Sequence, residues 1–123
     1  MRWGLLVGGL LIIADLSTRL ILQRAGQDAA DTLITVDQLV NAVLLAIAGA
    51  SVERESGRIW WATLAGLLAG LLDALVIAAA NSINPPPDLG NPLYLTLQNV
   101  AQGPILATAA AWVSSLARRR TVR

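Results

Sequence analysis

Acid–base chemistry in this chain of 123 residues would have to come from carboxyl groups. The sequence has no His and no Cys, and all nine of its cationic residues are Arg. No imidazole base, thiolate nucleophile or Schiff-base lysine is available. A Ser-His-Asp triad, a Cys-ligated metal and a disulfide framework are excluded on the same ground. There remain eight Asp and Glu residues, together with amides, hydroxyls and arginines. Three of the carboxyls, Asp15, Asp37 and Asp73, lie inside apolar sequence, along with Arg19, Gln38, Asn41, Gln98, Asn99 and Gln102. Two carboxyls that share one proton can cleave a peptide, one activating water and the other protonating the carbonyl. A single carboxyl among amides is better suited to binding.

The stretches that carry these residues have the length of membrane spans. Hydrophobic residues make up 55% of the chain and charged residues only 14%, and mean hydropathy is +0.61. Such a chain is too apolar for disorder. Crossing a bilayer takes about 20 mostly apolar residues, and four stretches qualify: 3–23, 33–52, 59–81 and 93–117. The third carries one charge, Asp73, and the fourth none. The expected fold is an all-α, four-helix transmembrane bundle, a single integral membrane domain over 1–123. A cleaved signal peptide does not fit the first stretch, because Asp15 and Arg19 follow its apolar run where a small-residue cleavage site would be needed. No Cys is present for lipidation.

Orientation is read from the arginines. Arg2, Arg54, Arg58, Arg118, Arg119, Arg120 and Arg123 fall on one side of the expected bundle, and Arg24 alone on the other. The Arg-rich side is expected to be cytoplasmic, with both termini inside a bacterial plasma membrane. Trp3, Trp60, Trp61 and Trp112 fall at that same interface, and Tyr94 at the opposite one, as aromatic belts do. Pro85, Pro86 and Pro87 suit a stiff outer connection. Glu53, Arg54, Glu55 and Arg58 are expected to form a neutral, solvated turn. Gly4 and Gly8, and the stripe Ala62, Gly66, Gly70 and Ala74, are expected to be packing seams within the bundle. A faint repeat relates Trp3, Gly8 and Asp15 to Trp61, Gly66 and Asp73, and Asp37, Gln38 and Asn41 to Gln98, Asn99 and Gln102.

With the spans placed, every intramembrane polar group falls in the outer half of its helix. The inner halves are almost wholly apolar. A charge near the bilayer centre costs roughly 2.5–3.5 kcal/mol on insertion scales, so such residues face partners or wet cavities. Asp15 and Arg19, four residues apart, share a helix face and can pair. Asp73 points into the Gly/Ala seam and is expected either to be neutral or to pair with Arg19. Pro104 is expected to bend the fourth helix near Gln102. One reading of the layer is a hydrogen-bonded network that fixes helix register; the other is an outward-opening polar site.

The first span, Leu11-Ile12-Ile13-Ala14-Asp15-Leu16-Ser17-Thr18-Arg19, resembles the first helix of the lipoprotein signal peptidase (signal peptidase II) family, with Arg19 where that family has Lys. That family's third helix carries Gly-Asn-x-x-Asp-Arg, whose Asp is catalytic. The matching stretch here is Gly70-Leu71-Leu72-Asp73-Ala74, which keeps the Asp and loses the Asn and Arg. Its fourth helix carries Asn-x-x-Asp with the second catalytic Asp, and the match is Asn99-Val100-Ala101-Gln102. The resemblance covers about half the chain, and the family's external cradle between spans one and two has no counterpart here. It implies four spans, inner termini and a site near the outer face. An amide has no carboxylate to act as base, so Gln102 implies a shortened, degenerate relative without protease activity.

The expected function is thus that of a non-catalytic, signal-peptidase-II-like membrane protein. It would hold a lipid or a partner transmembrane helix through Asp15, Arg19, Asn41, Asp73, Asn99 and Gln102. One alternative is a small structural subunit of a respiratory or photosynthetic membrane complex. Another is an active aspartic peptidase of lipoproteins in which Asp73, the catalytic candidate, works with another carboxylate. A channel is disfavoured by the apolar inner halves. No cofactor and no metal are expected, and there is no phosphate-binding glycine loop, EF-hand or zinc spacing. The run Arg118-Arg119-Arg120 is expected to anchor topology and attract anionic lipid headgroups, not nucleic acid.

Overall fold

In hydrocarbon, backbone N–H and C=O groups must find partners within their own segment, so apolar stretches of this length fold as helices. The computed structural model has four: α1 (Arg2–Ala25), α2 (Ala30–Ser56), α3 (Ile59–Ile83) and α4 (Pro92–Thr121). The structure describes the backbone of residues 2–25, 29–83 and 92–121, and all their side chains except those of 25, 30, 92–96, 99 and 121. The expectations for Tyr94, for the side chain of Asn99 and for Pro85, Pro86 and Pro87 fall outside the described residues. All four helices are long and apolar enough to cross a membrane.

Each helix runs past the expected span, because helical hydrogen bonding continues beyond the apolar stretch. The difference matters most in α2. It continues through Val52–Ser56 and stops where Gly57 takes a left-handed conformation (φ 67°), its N–H donating to the Glu53 carbonyl at 2.7 Å. Glycine adopts that conformation without the Cβ clash other residues meet. The expected solvated turn is therefore reduced to Gly57 and Arg58, and Glu53 is a buried helical residue, only 3% exposed.

The helices are packed through small side chains. The buried apolar set includes Ala48, Ala62, Ala65, Ala69, Ala74, Ala107 and Ala111. Large apolar residues such as Leu5, Leu20, Leu39, Leu75, Ile105 and Val113 are exposed around the outside. A water-soluble bundle would have the reverse distribution. In a membrane the large residues meet lipid, and small ones let backbones approach. Gly4 and Gly8 of α1 lie against Ala65, Leu68, Ala69 and Leu72 of α3. Gly66 of α3 opposes Gly103 of α4, and Gly49 of α2 lies on the backbone of Ala107. The Gly/Ala stripes are thus internal seams.

The arrangement is asymmetric. α2 and α3 pack on each other and on both remaining helices, whereas α1 and α4 lie on opposite flanks and share no contact among the described residues. α3 is the most buried helix. All four Trp residues sit at the end where α1 and α3 begin, which is also the Arg-rich end.

The seams predict a sharp contrast between glycines. A methyl group on Gly49 or Gly66 would collide with backbone atoms of α4, whereas one on Gly9 meets nothing within 4 Å. Gly49→Ala and Gly66→Ala should each destabilise the bundle by about 1–3 kcal/mol, as overpacking does. Gly9→Ala should be neutral or stabilising by up to about 1 kcal/mol, through reduced backbone entropy. Thermal or denaturant unfolding in detergent micelles measures all three.

Candidate functional site

At the end of the bundle opposite the tryptophans, polar side chains from three helices meet. α1 supplies Asp15, Thr18 and Arg19, α2 supplies Asp37 and Asn41, and α3 supplies Asp73 and Asn81. They face one another because each lies on the seam side of its helix. Asp15 follows Val7 and Leu11 at four-residue steps on the buried face of α1. Asn81 follows Asp73 and Ile77 at the same spacing on α3.

A chain of hydrogen bonds links them. Thr18 Oγ1 donates to Asp37 Oδ1 at 2.8 Å. Asn41 Nδ2 donates to Asp15 Oδ1 at 2.8 Å and more weakly to Asp37 Oδ2 at 3.5 Å. Asp15 and Asp73 are neighbours across the α1–α3 seam, close enough for their charges to interact. Arg19 donates to Asn81 Oδ1 at 2.5 Å. Asp15 is 9% exposed and Asp73 3%, while Arg19, Asp37 and Asn41 are half-buried. Asp37, Asn41 and Arg19 thus form the accessible edge of the cluster, with the Asp15–Asp73 pair behind it.

This geometry alters several expectations. No Asp15–Arg19 ion pair forms among the described residues. Asn81 lies within reach of the guanidinium and takes it up, leaving Arg19 to act on Asp73 only through its electrostatic field. Among the described residues, the layer is also not shared equally by the four helices. Gln38 is exposed on the outer surface of α2. Gln102 is half-buried on α4, and no hydrogen bond joins it to Asp73 among the described residues. Depth is common to all four helices, but lateral position is not, because α4 occupies the flank opposite α1.

Thr18 and Asn81 were not among the residues singled out in the sequence. Both carry a readable signal: Thr18 is three residues from Asp15 and Asn81 eight from Asp73, which sets each on the same helical face as its aspartate. At the other end, Glu53 departs from the solvated turn expected of it. It is buried and accepts a hydrogen bond from Arg118 at 2.5 Å, while Arg2 pairs with Glu55 at 3.2 Å on the surface. The apolar inner half also holds a polar bridge, Thr63 Oγ1 to Thr108 Oγ1 at 2.7 Å across α3 and α4. Thr108 also donates to the carbonyl of Pro104, which lies inside α4.

Comparison of the chain with protein-family models, curated proteins and solved structures finds no match to any of them.

The hydrogen-bond chain predicts where coupling resides. A double-mutant cycle of Asp15→Ala and Asn41→Ala in detergent should give a coupling energy of about 0.6–1.7 kcal/mol, the range for interhelical hydrogen bonds in membranes. Gln102→Leu, at a side chain that bonds no described residue, should change stability by under about 0.5 kcal/mol.

Proposed function

We propose that this protein is a non-catalytic membrane binding protein, a degenerate signal-peptidase-II-like bundle. Its polar end holds a lipid headgroup or a partner transmembrane helix that offers hydrogen-bond donors. The supporting observation is the imbalance within the layer. Three carboxyl groups, Asp15, Asp37 and Asp73, accompany a single guanidinium, and that guanidinium is directed to a neutral amide. The Asn41 carbonyl oxygen Oδ1 is buried with no hydrogen-bond partner among the described residues. An acceptor-rich, cation-poor cluster in a low-dielectric medium is complemented by a donor such as an ammonium headgroup or a Lys or Arg of another helix. In this reading Asp37, Asn41 and Arg19 make the contact, and Asp15 and Asp73 support the site from behind. The arginine bias favours an orientation with the Arg-rich end and both termini in the cytoplasm. The polar end then faces the outer leaflet of a bacterial plasma membrane.

A second reading has one observation of its own. Asp15 and Asp73 are two neighbouring buried carboxyls, and an aspartic peptidase holds one proton between two carboxylates. They would replace the pair in which Gln102 stands for the second aspartate. Access weighs against it, since Asp15 and Asp73 are both buried.

The binding reading is tested by purification from native membranes in mild detergent followed by mass spectrometry. The expected result is a lipid or protein held in stoichiometric amount and released by Asp15→Asn with Asp37→Asn, while circular dichroism shows an intact helical bundle. A chain that carries nothing in fixed ratio overturns it. Partners that remain bound to the doubly substituted chain also overturn it, in favour of a structural subunit. The peptidase reading requires cleavage of a prolipoprotein that is abolished by Asp15→Asn and by Asp73→Asn separately.

A further inference from the structure

The Arg-rich end holds a second arrangement, independent of the polar layer. Between α2 and α4 lies a cavity of about 350 Å³ lined by Arg54, Ser114, Ala117 and Arg118. One wall of it is fixed from below. Glu53, 3% exposed, accepts from Arg118 Nη2 at 2.5 Å, and the Glu53 backbone carbonyl accepts from the same nitrogen at 3.2 Å. The Arg118 side chain is nonetheless 47% exposed, so its guanidinium is held in place without being enclosed. A buried carboxylate that positions an arginine removes much of the entropy cost a free side chain would incur on binding.

The opposite wall carries the charge. Arg54 is exposed and forms no ion pair with any described residue, and the Ser114 hydroxyl makes no hydrogen bond to one. Glu53 balances Arg118, and Glu55 is taken up by Arg2. Arg54, with Arg119 and Arg120 on the adjoining turn, therefore leaves this corner with a net positive charge. The corner lies at membrane-surface depth: the uncharged stretch of α4 ends at Ala117, and Trp60, Trp61 and Trp112 mark the same end of the bundle. Two guanidiniums and a hydroxyl around one cavity match the acceptor geometry of a phosphate group, and basic pockets between transmembrane helices at this depth accept anionic headgroups.

We infer that the cavity between α2 and α4 is a binding site for the phosphate of an anionic lipid in the leaflet at the Arg-rich end. Arg54 and Ser114 are its ligands, and Arg118 is a wall held by Glu53. The source of the phosphate is a lipid because the cavity opens at headgroup depth beside lipid-facing apolar side chains such as Val113 and Leu116.

Native mass spectrometry of the full chain in detergent, titrated with phosphatidylglycerol or phosphatidylcholine, tests this. Phosphatidylglycerol should be retained in preference to phosphatidylcholine. Arg54→Gln combined with Ser114→Ala should weaken its retention about tenfold, the scale of one charge-assisted hydrogen bond. Arg58→Gln removes the same charge from the same end, outside the cavity, and should leave retention within about twofold. Equal losses from the combined Arg54→Gln and Ser114→Ala variant and from Arg58→Gln would mean diffuse attraction and overturn the site. So would equal retention of the two lipids, or displacement of phosphatidylglycerol by millimolar inorganic phosphate. These results are independent of Asp15 and Asp37, so failure here leaves the reading of the polar end intact.

Discussion

Close approach of helix backbones is the constraint on which the rest of this structure depends. A membrane bundle gains little by hiding apolar side chains from lipid, so its helices must be held by packing and by polar contacts between them. Gly66 against Gly103, Gly49 against Ala107, and Gly4 and Gly8 against Ala65 and Ala69 supply the packing. They bring α1 and α4 onto the two faces of the α2–α3 pair. Once the backbones are this close, side chains as short as Asn and Asp reach across the seams. The bonds from Asn41 to Asp15 and from Thr18 to Asp37 both depend on that approach.

The same packing divides the molecule into two ends with opposite chemistry. At one, α1, α2 and α3 gather carboxyls and amides around a single arginine. At the other, arginines surround one buried glutamate, and Glu53 ties α2 to α4 through Arg118. Between them the seams are Ala and Gly, interrupted by the Thr63–Thr108 bridge. α4 belongs to the Arg-rich end in this respect. Among the described residues, its hydrogen bonds to other helices run through Thr108 and Arg118, and Gln102 bonds to none.

This division bears on function. A signal-peptidase-II-like arrangement would set Asp73 and Gln102 as partners on α3 and α4. Among the described residues, no hydrogen bond joins Asp73 to Gln102, and Asp73 neighbours Asp15 on α1. The residues proposed to bind thus form a cluster centred on α1 and α2, with Asp73 behind it. Carboxyl groups outnumber cations at that end, whereas cations outnumber carboxyls at the Arg-rich end. A bundle with nearly neutral net charge, formally +1, can in this way present acceptors to one leaflet and donors to the other.

Span number, helix type and polar depth were legible in the sequence, because bilayer thickness and a rise of 1.5 Å per residue convert position along a span directly into depth. The Gly and Ala stripes were legible as seams for a related reason: only small residues allow that spacing. Azimuth and neighbours were not. The spans are apolar around most of their circumference, so no amphipathic stripe says which face meets which helix. Arg19 was expected to pair with Asp15, one turn away on its own helix, but bonds Asn81, 62 positions distant. Glu53 read as solvated because its sequence neighbours are charged, yet α2 turns it inward against Arg118. The sequence by itself determined how deep each polar group lies, since depth depends on the helix alone. Only the tertiary structure decided which groups meet, since that depends on how α1 and α4 are distributed about α2 and α3.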